Sequence, residues 1–295
     1  MKIKTVLCAL ALITVFTACG GYDKASDFKV SPVEGGKSVE ITGYTGEKLA
    51  VKIPPRIQKL PVTKIGDGAF EGEKIASVTI PKSVTVIGNS AFADNSFTGI
   101  TLPAGLKEIG SYAFRGCENL TSITIPASVT EISGGAFYGC EGLTSINIDS
   151  GNPHYASEGG ILYNKEKTKI VAVPEGISDT VTIPASVTEI DYRAFAYRKN
   201  ITEITIPANV TSIGGEAFAG CTGIAEITIP AGVIKIGGDA FAHWRNTQTI
   251  NIAGHSSQAA ADRAWGYTVT ETFMDIYIEG WRASSNAKIV YQGGQ

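Results

Sequence analysis

Short stretches in which every second residue is apolar recur along the chain. Val78/Ile80, Ile100/Leu102, Ile123/Ile125, Ile146/Ile148, Val181/Ile183, Ile204/Ile206, Ile227/Ile229 and Ile250/Ile252 are pairs of apolar residues flanking one polar residue. A period of two marks a strand that buries one face. In Ser122-Ile123-Thr124-Ile125-Pro126 the proline ends the strand, because it has no N–H to give to a ladder. The period then changes: Val129 and Ile132 lie three apart and Ala136 and Phe137 follow. That spacing predicts a turn leading into a short helical or 3₁₀ segment on the side opposite the strand. Gly139 lets the chain turn back, and Leu143 leads into the next strand.

The same unit is written repeatedly. IGDGAF at 65–70 returns as IGNSAF at 87–92, IGSYAF at 109–114, ISGGAF at 132–137, IDYRAF at 190–195, IGGEAF at 213–218 and IGGDAF at 236–241. A unit of 22 to 23 residues is too short to bury its own apolar face, so the units must stack on one another. The predicted fold is an α/β repeat solenoid capped at both ends. One strand per turn at about 4.8 Å, over eight to ten turns, gives a rod roughly 40–50 Å long. Phe70, Phe92, Phe114, Phe137, Phe195, Phe218 and Phe241 occupy equivalent positions and are expected to form a stacked aromatic spine inside it.

These residues carry a family resemblance. LTSITIPASVTEISGGAFYGC at 120–140 resembles the repeat of BspA-type leucine-rich-repeat proteins of bacterial surfaces, and the likeness runs over about 62–255. Membership implies a leucine-rich-repeat arc, with a parallel β-sheet on one side and short helical or 3₁₀ segments on the other. It also implies adhesion or binding of host proteins, without naming a ligand.

The ends and one interior stretch depart from the repeat. Residues 1–18 read as a secretory signal: Lys2 and Lys4 precede an apolar run from Val6 to Phe16, and Thr17, Ala18 and Cys19 follow. Cys19 placed there resembles the lipidated first residue of a mature bacterial lipoprotein, although Phe16 stands where that signal usually has Leu, Val or Ile. An ordinary secretory peptide cleaved nearby is the alternative. Residues 19–37 read as a polar linker and 38–64 as an N-terminal cap, in which Val51-Lys52-Ile53-Pro54 repeats the strand signature. The repeats occupy 65–148 and 181–255, separated by an insertion at 149–180 in which 160–163 and 170–173 flank Asn164-Lys165-Glu166-Lys167 as a hairpin. Residues 256–295 are read as a C-terminal cap, with a helical look over Ala259 to Trp265 and Ile276, Ile278, Trp281 and Ala287 to Tyr291 sealing the last turn.

The formal charge is −3, and removal of residues 1–18 takes away two lysines and no acid, leaving 23 basic against 28 acidic residues and −5. A mildly acidic exported chain argues against nucleic acid as a partner. The outward strand positions Thr79, Thr101, Thr124, Asn147, Thr182, Thr205, Thr228 and Asn251 form a flat polar ladder. The ladder reads either as strand propensity under water or as a broad hydrogen-bonding face for a protein partner.

Catalytic, cofactor and metal chemistry are not expected. His154, His243 and His255 are scattered without ligand spacing, and no nucleophile, phosphate-binding or dinucleotide motif stands in context. Glu203 and Glu226 lie one repeat apart with nothing building a cleft around them. Cys117, Cys140 and Cys221 share one repeat position and are read as semi-buried free thiols, with a Cys117–Cys140 bridge as the alternative. Two functions stay open: a lipid-anchored protein of the outer membrane or cell surface that binds host or microbial proteins, and a periplasm-facing envelope scaffold.

Overall fold

The structure is a computed structural model that describes residues 21–33, 35–257 and 285–292. Cys19, the signal segment and the stretch holding Ala259 to Trp265, Ile276, Ile278 and Trp281 lie outside the described residues. The chain winds as a β-solenoid of about nine turns.

Most coils carry two strands rather than one; in the coil of Ile100 and Leu102 the predicted strand is reduced to a single bridge from Ile100 to Ile123. The predicted strands form ladders in register, with Ser145–Ile148 parallel to Ser122–Ile125 and Glu226–Ile229 parallel to Thr249–Ala253. Their alternate residues point inward, and Ile123, Ile125, Ile146, Ile227, Ile229, Ile250 and Ile252 are buried. The second strand is the two-residue segment that sequence spacing assigned to a helical turn. Val86–Ile87, Glu108–Ile109 and Glu131–Ile132 stack in parallel, as do Glu189–Ile190, Ser212–Ile213 and Lys235–Ile236.

The expected helical or 3₁₀ side is therefore a correction. Among the described residues the one 3₁₀ turn is Ala25–Asp27, in the N-terminal cap. The physical reason lies in the backbone around each phenylalanine. The residue two before it (Gly68, Ser90, Tyr112, Gly135, Arg193, Glu216, Asp239) and the residue two after it (Gly72, Asp94, Gly116, Gly139, Tyr197, Gly220, His243) have positive φ. Left-handed residues four apart break any right-handed helix. They also aim alternate N–H groups along the rod: Phe70 N–H donates to Ala91 O at 2.8 Å, Phe92 N–H to Ala113 O at 2.8 Å and Phe195 N–H to Ala217 O at 2.8 Å. These alternate bonds are made between coils, while the intervening N–H groups close single turns within the coil, as Ala69 N–H to Gly66 O at 3.2 Å and Glu71 N–H to Gly68 O at 3.1 Å.

The seven phenylalanines are all buried. They form two stacks: Phe70, Phe92, Phe114 and Phe137 at 5.2, 5.9 and 5.9 Å, and Phe195, Phe218 and Phe241 at 5.0 and 5.5 Å. Between them the equivalent place belongs to Val173, whose N–H donates to Ala194 O at 3.0 Å as Phe195 N–H does to Ala217 O. The core divides at the same point, one cluster ending with Leu162 and the other beginning with Ile161.

The N-terminal cap begins earlier than the sequence indicated. Residues read as a linker form strand Phe28–Pro32, antiparallel to Val39–Tyr44, which in turn runs parallel to Leu60–Ile65. The alternation of Phe28 and Val30 is what a linker lacks. Phe28 is buried against Tyr44 and Phe70, with ring centroids 5.5 and 6.4 Å apart, and closes the end of the aromatic stack. Asp23 is buried as well, paired with Lys48 and accepting Lys52 N–H at 2.7 Å. At the other end Lys288–Gln292 lies parallel to Thr249–Ala253.

Candidate binding faces and the seam between two blocks

The strand ladder is the broad polar surface. Thr79, Thr101, Thr124, Asn147, Thr182, Thr205 and Thr228 are exposed. Asn251 is not: it is 4% exposed and its amide donates to the Glu226 carboxylate, because Lys288–Gln292 pairs with its strand and covers the end of the ladder. Nor is the ladder continuous. The strands of this face pair as separate sheets, Ala50–Lys52 with Ser77–Thr79, Ser122–Ile125 with Ser145–Ile148, Asp179–Thr182 with Ile201–Thr205, and Glu226–Ile229 with Thr249–Ala253 and Lys288–Gln292. Open grooves lie at two of the breaks, one along Thr79, Ile80, Lys82, Thr101 and Leu102, the other along Glu203, Thr205, Glu226 and Thr228.

The insertion makes the middle break. Its hairpin is Ile161–Asn164 against Lys169–Ala172, and a third strand, Tyr155–Glu158, extends it antiparallel. Rather than projecting, it enters the solenoid. Lys169–Ala172 runs parallel to Glu189–Ile190 as the next strand of the second sheet. On the other face the Gly160 carbonyl accepts Ile146 N–H at 2.9 Å, while Ser157 Oγ donates to Ile146 O at 2.6 Å.

Cys117, Cys140 and Cys221 are buried and free, with no bridge between Cys117 and Cys140. Each thiol donates to the carbonyl of the phenylalanine one coil earlier: Cys117 to Phe92 at 3.3 Å, Cys140 to Phe114 at 3.1 Å and Cys221 to Phe195 at 2.9 Å. Burial pushes the Cys117 thiol up to about 11 and the Cys221 thiol up to about 12. A thiol so protonated is inert as a nucleophile.

In other coils the same position holds Asn95, Arg198 and Trp244, which donate to Phe70 O at 2.7 Å, Val173 O at 2.6 Å and Phe218 O at 2.7 Å. Arg198 is buried, 3.8 Å from Glu175. Burial raises the Glu175 carboxyl above its usual range, and the Arg198 charge pulls it back down.

Sequence reasoning missed a cluster at the seam. Arg193 lies 5.1 to 5.6 Å from the ring centroids of Tyr192, Tyr112 and Tyr138. Its guanidinium grips Glu216 at 2.7 and 2.8 Å and also donates to the Tyr112 hydroxyl. The available signal was at the left-handed position two before the phenylalanine, where Arg193 and Tyr112 are the bulkiest occupants and sister units have Gly68, Ser90, Gly135, Glu216 and Asp239.

The histidines do not converge. His154 and His243 are exposed and His255 half-buried, in three different parts of the chain. Among the described residues no group of three or more His, Cys, Asp or Glu side chains is placed to hold a metal ion, and no helix is long and apolar enough to cross a membrane.

Residues 56–158 and 175–263 match the BspA type leucine-rich repeat region, in six copies. Among solved structures, a leucine-rich repeat protein from Eubacterium ventriosum is 28% identical with a TM-score of 0.61, the match covering 77% of this chain and 70% of that one. The pneumococcal vaccine antigen PcpA shares the fold at 20% identity and a TM-score of 0.53, over 77% of this chain and 80% of its own. No curated protein matches the chain.

Proposed function

We propose that this chain, which belongs to the BspA-type leucine-rich repeat family, is a protein-binding scaffold of the cell envelope, lipid-anchored through Cys19, that presents its strand face to an extended protein partner. The observation that carries the reading is the exposed row of Thr79, Thr101, Thr124, Asn147, Thr182, Thr205 and Thr228. It offers hydroxyl and amide groups on a row of short sheets, each held in place by the coils behind it. With no Trp, Tyr or Arg anchor on that row, affinity per site is modest, and many anchored copies supply the rest through avidity.

Adhesion to host or other microbial proteins at the outer face of the outer membrane is the first form of this proposal. A second form has support of its own. Asp23 is already part of the folded cap, so little chain separates Cys19 from the solenoid. A short tether holds the rod close to its membrane and suits a periplasm-facing scaffold as well as display.

Two measurements test the proposal. Protease treatment of intact cells, blotted beside a periplasmic control, removes the protein if it is displayed and spares it until lysis if it faces inward. Purified protein is then passed over a panel of immobilised extracellular-matrix and serum proteins, together with the variant Thr124→Arg/Thr205→Arg. Binding lost in the variant at unchanged melting temperature assigns the strand face. Binding that survives the variant refutes that assignment.

A further inference from the structure

We infer that the solenoid is jointed at the insertion and that Arg193 is the clasp that couples its two halves. At this one level both sheets and the phenylalanine stack are interrupted, while the outer ring contact of Tyr138 with Tyr197, at 5.5 Å, runs across it. The phenylalanine stack passes through Val173, whose place offers no ring. The strand-face sheet stops at Ser145–Ile148 and resumes at Asp179–Thr182. The second sheet ends at Glu131–Ile132 and restarts with the insertion strands, and there the Tyr155 hydroxyl accepts Ile132 N–H at 3.0 Å in place of a neighbouring backbone. A small cleft opens at the gap, with Ile132 and Phe137 on one wall and Val171 and Ala172 on the other.

In a solenoid each coil stabilises only its neighbours, so cooperativity passes along the rod through interfaces and is weakest where an interface is thinnest. Arg193 spans this one. Its carboxylate partner Glu216 and its neighbour Tyr192 belong to the C-terminal half, while Tyr112 and Tyr138 belong to the N-terminal half. The contact with Tyr112 joins residues 81 positions apart. Glu216 grips the guanidinium on two sides, which fixes the plane it presents to the tyrosine rings.

Two glycines complete the closure. A Cβ on Gly135 would stand 2.7 Å from the Tyr112 ring, and one on Gly134 would stand 3.0 Å from the Tyr192 ring of the other half. Tyr192 therefore seats on Gly134 across the joint.

The test uses Arg193→Ala, the milder Arg193→Lys and Gly134→Ala, with Arg115→Ala as a control that removes an arginine paired within the N-terminal half. Hydrogen exchange is followed through a denaturant series in peptides from 77–125 and 201–236. Spin labels at Thr124→Cys and Thr205→Cys, in a chain lacking residues 1–19, report the distance between halves, Cys117, Cys140 and Cys221 being buried. In the parent protein both regions lose protection at one denaturant midpoint. In Arg193→Ala and Gly134→Ala the midpoints separate, exchange near the joint rises on the order of tenfold, and the label distances broaden. Arg193→Lys falls between, and Arg115→Ala leaves the label distances as they were. Separate midpoints in the parent protein, or a common shift of both regions with unchanged distances in Arg193→Ala, would overturn the inference.

Discussion

Replacement of Phe92 by alanine removes a ring with three aromatic neighbours in the middle of the N-terminal stack. Phe92 is fully buried, stacked on Phe70 at 5.2 Å and on Phe114 at 5.9 Å, and met edge-on by Phe97 at 5.8 Å. A buried Phe→Ala change costs about 3–5 kcal/mol, growing with the cavity that the surroundings cannot close. Here the coils above and below are held by backbone bonds, Phe70 N–H to Ala91 O and Phe92 N–H to Ala113 O, both 2.8 Å. They cannot collapse inward without breaking ladders on both sheets, so the cost falls toward the upper end.

Phe137 supplies the comparison. It stacks on Phe114 alone, at 5.9 Å, and its other side borders the seam cleft with Val171 and Ala172. Fewer ring contacts are lost, at about 0.5–1.5 kcal/mol each, and neighbours have room to relax. Phe137→Ala is therefore expected near 3 kcal/mol and Phe92→Ala at least ~1 kcal/mol above it. Guanidinium unfolding followed by circular dichroism and by peptide hydrogen exchange measures both. Equal costs, or a larger cost at Phe137, would refute the claim that neighbouring rings and coil rigidity set the penalty. An unchanged midpoint in either variant would refute the stacked core itself.

Two further outcomes follow from the buried polar groups. Burial holds Cys117 and Cys221 protonated up to about 11 and about 12, against an unperturbed 9.0. The native state thus keeps protons that the unfolded chain releases, so this contribution is complete below pH 9 and declines as pH rises toward the folded values. Unfolding midpoints should fall between pH 9 and 11, and Cys→Ala at either position should flatten that fall while leaving a buried carbonyl unpaired, at about 1–3 kcal/mol. Arg198→Ala should cost about 3–5 kcal/mol in a chemical denaturation, since it strands the Glu175 carboxylate in the core as an uncompensated charge. Arg198→Ala/Glu175→Ala should recover part of that loss, and a double variant no better than the single would show that the pair does not interact.

The repeat was legible because stacking imposes one pattern on every coil. Strand residues such as Ile123 and Ile125, the proline stop and the phenylalanine position all follow from sequence period and all appear in the structure. The second strand was not legible, because two residues such as Glu131–Ile132 are too few to show a period of two, and an apolar spacing of three fits a helical turn equally well. Phe28 was missed for a similar reason: a strand of five residues amid glycines and lysines looks like a linker until its partner Val39–Tyr44 is seen. Of the candidate face, seven positions could be read from alternation. The burial of Asn251 could not, since it depends on the return of residues 288–292.

In six of the seven coils, all but that of Phe70, the position three residues after the phenylalanine shows what the repeat asks of a side chain. Cysteine, asparagine, arginine and tryptophan share neither size nor charge, yet Asn95, Cys117, Cys140, Arg198, Cys221 and Trp244 all donate to the carbonyl one coil back. That carbonyl faces the core, where an unpaired acceptor costs about 1–3 kcal/mol. The coil therefore constrains hydrogen-bond donation and leaves volume to be settled by neighbours. Cysteine serves over Phe92, Phe114 and Phe195, asparagine over Phe70 and tryptophan over Phe218. Arginine serves over Val173, with Glu175 nearby to meet its charge. Serine at a cysteine position should then preserve more stability than alanine, although alanine leaves the more apolar surface. The reverse order in equilibrium unfolding would mean that these residues are kept for their size and not for the proton they donate.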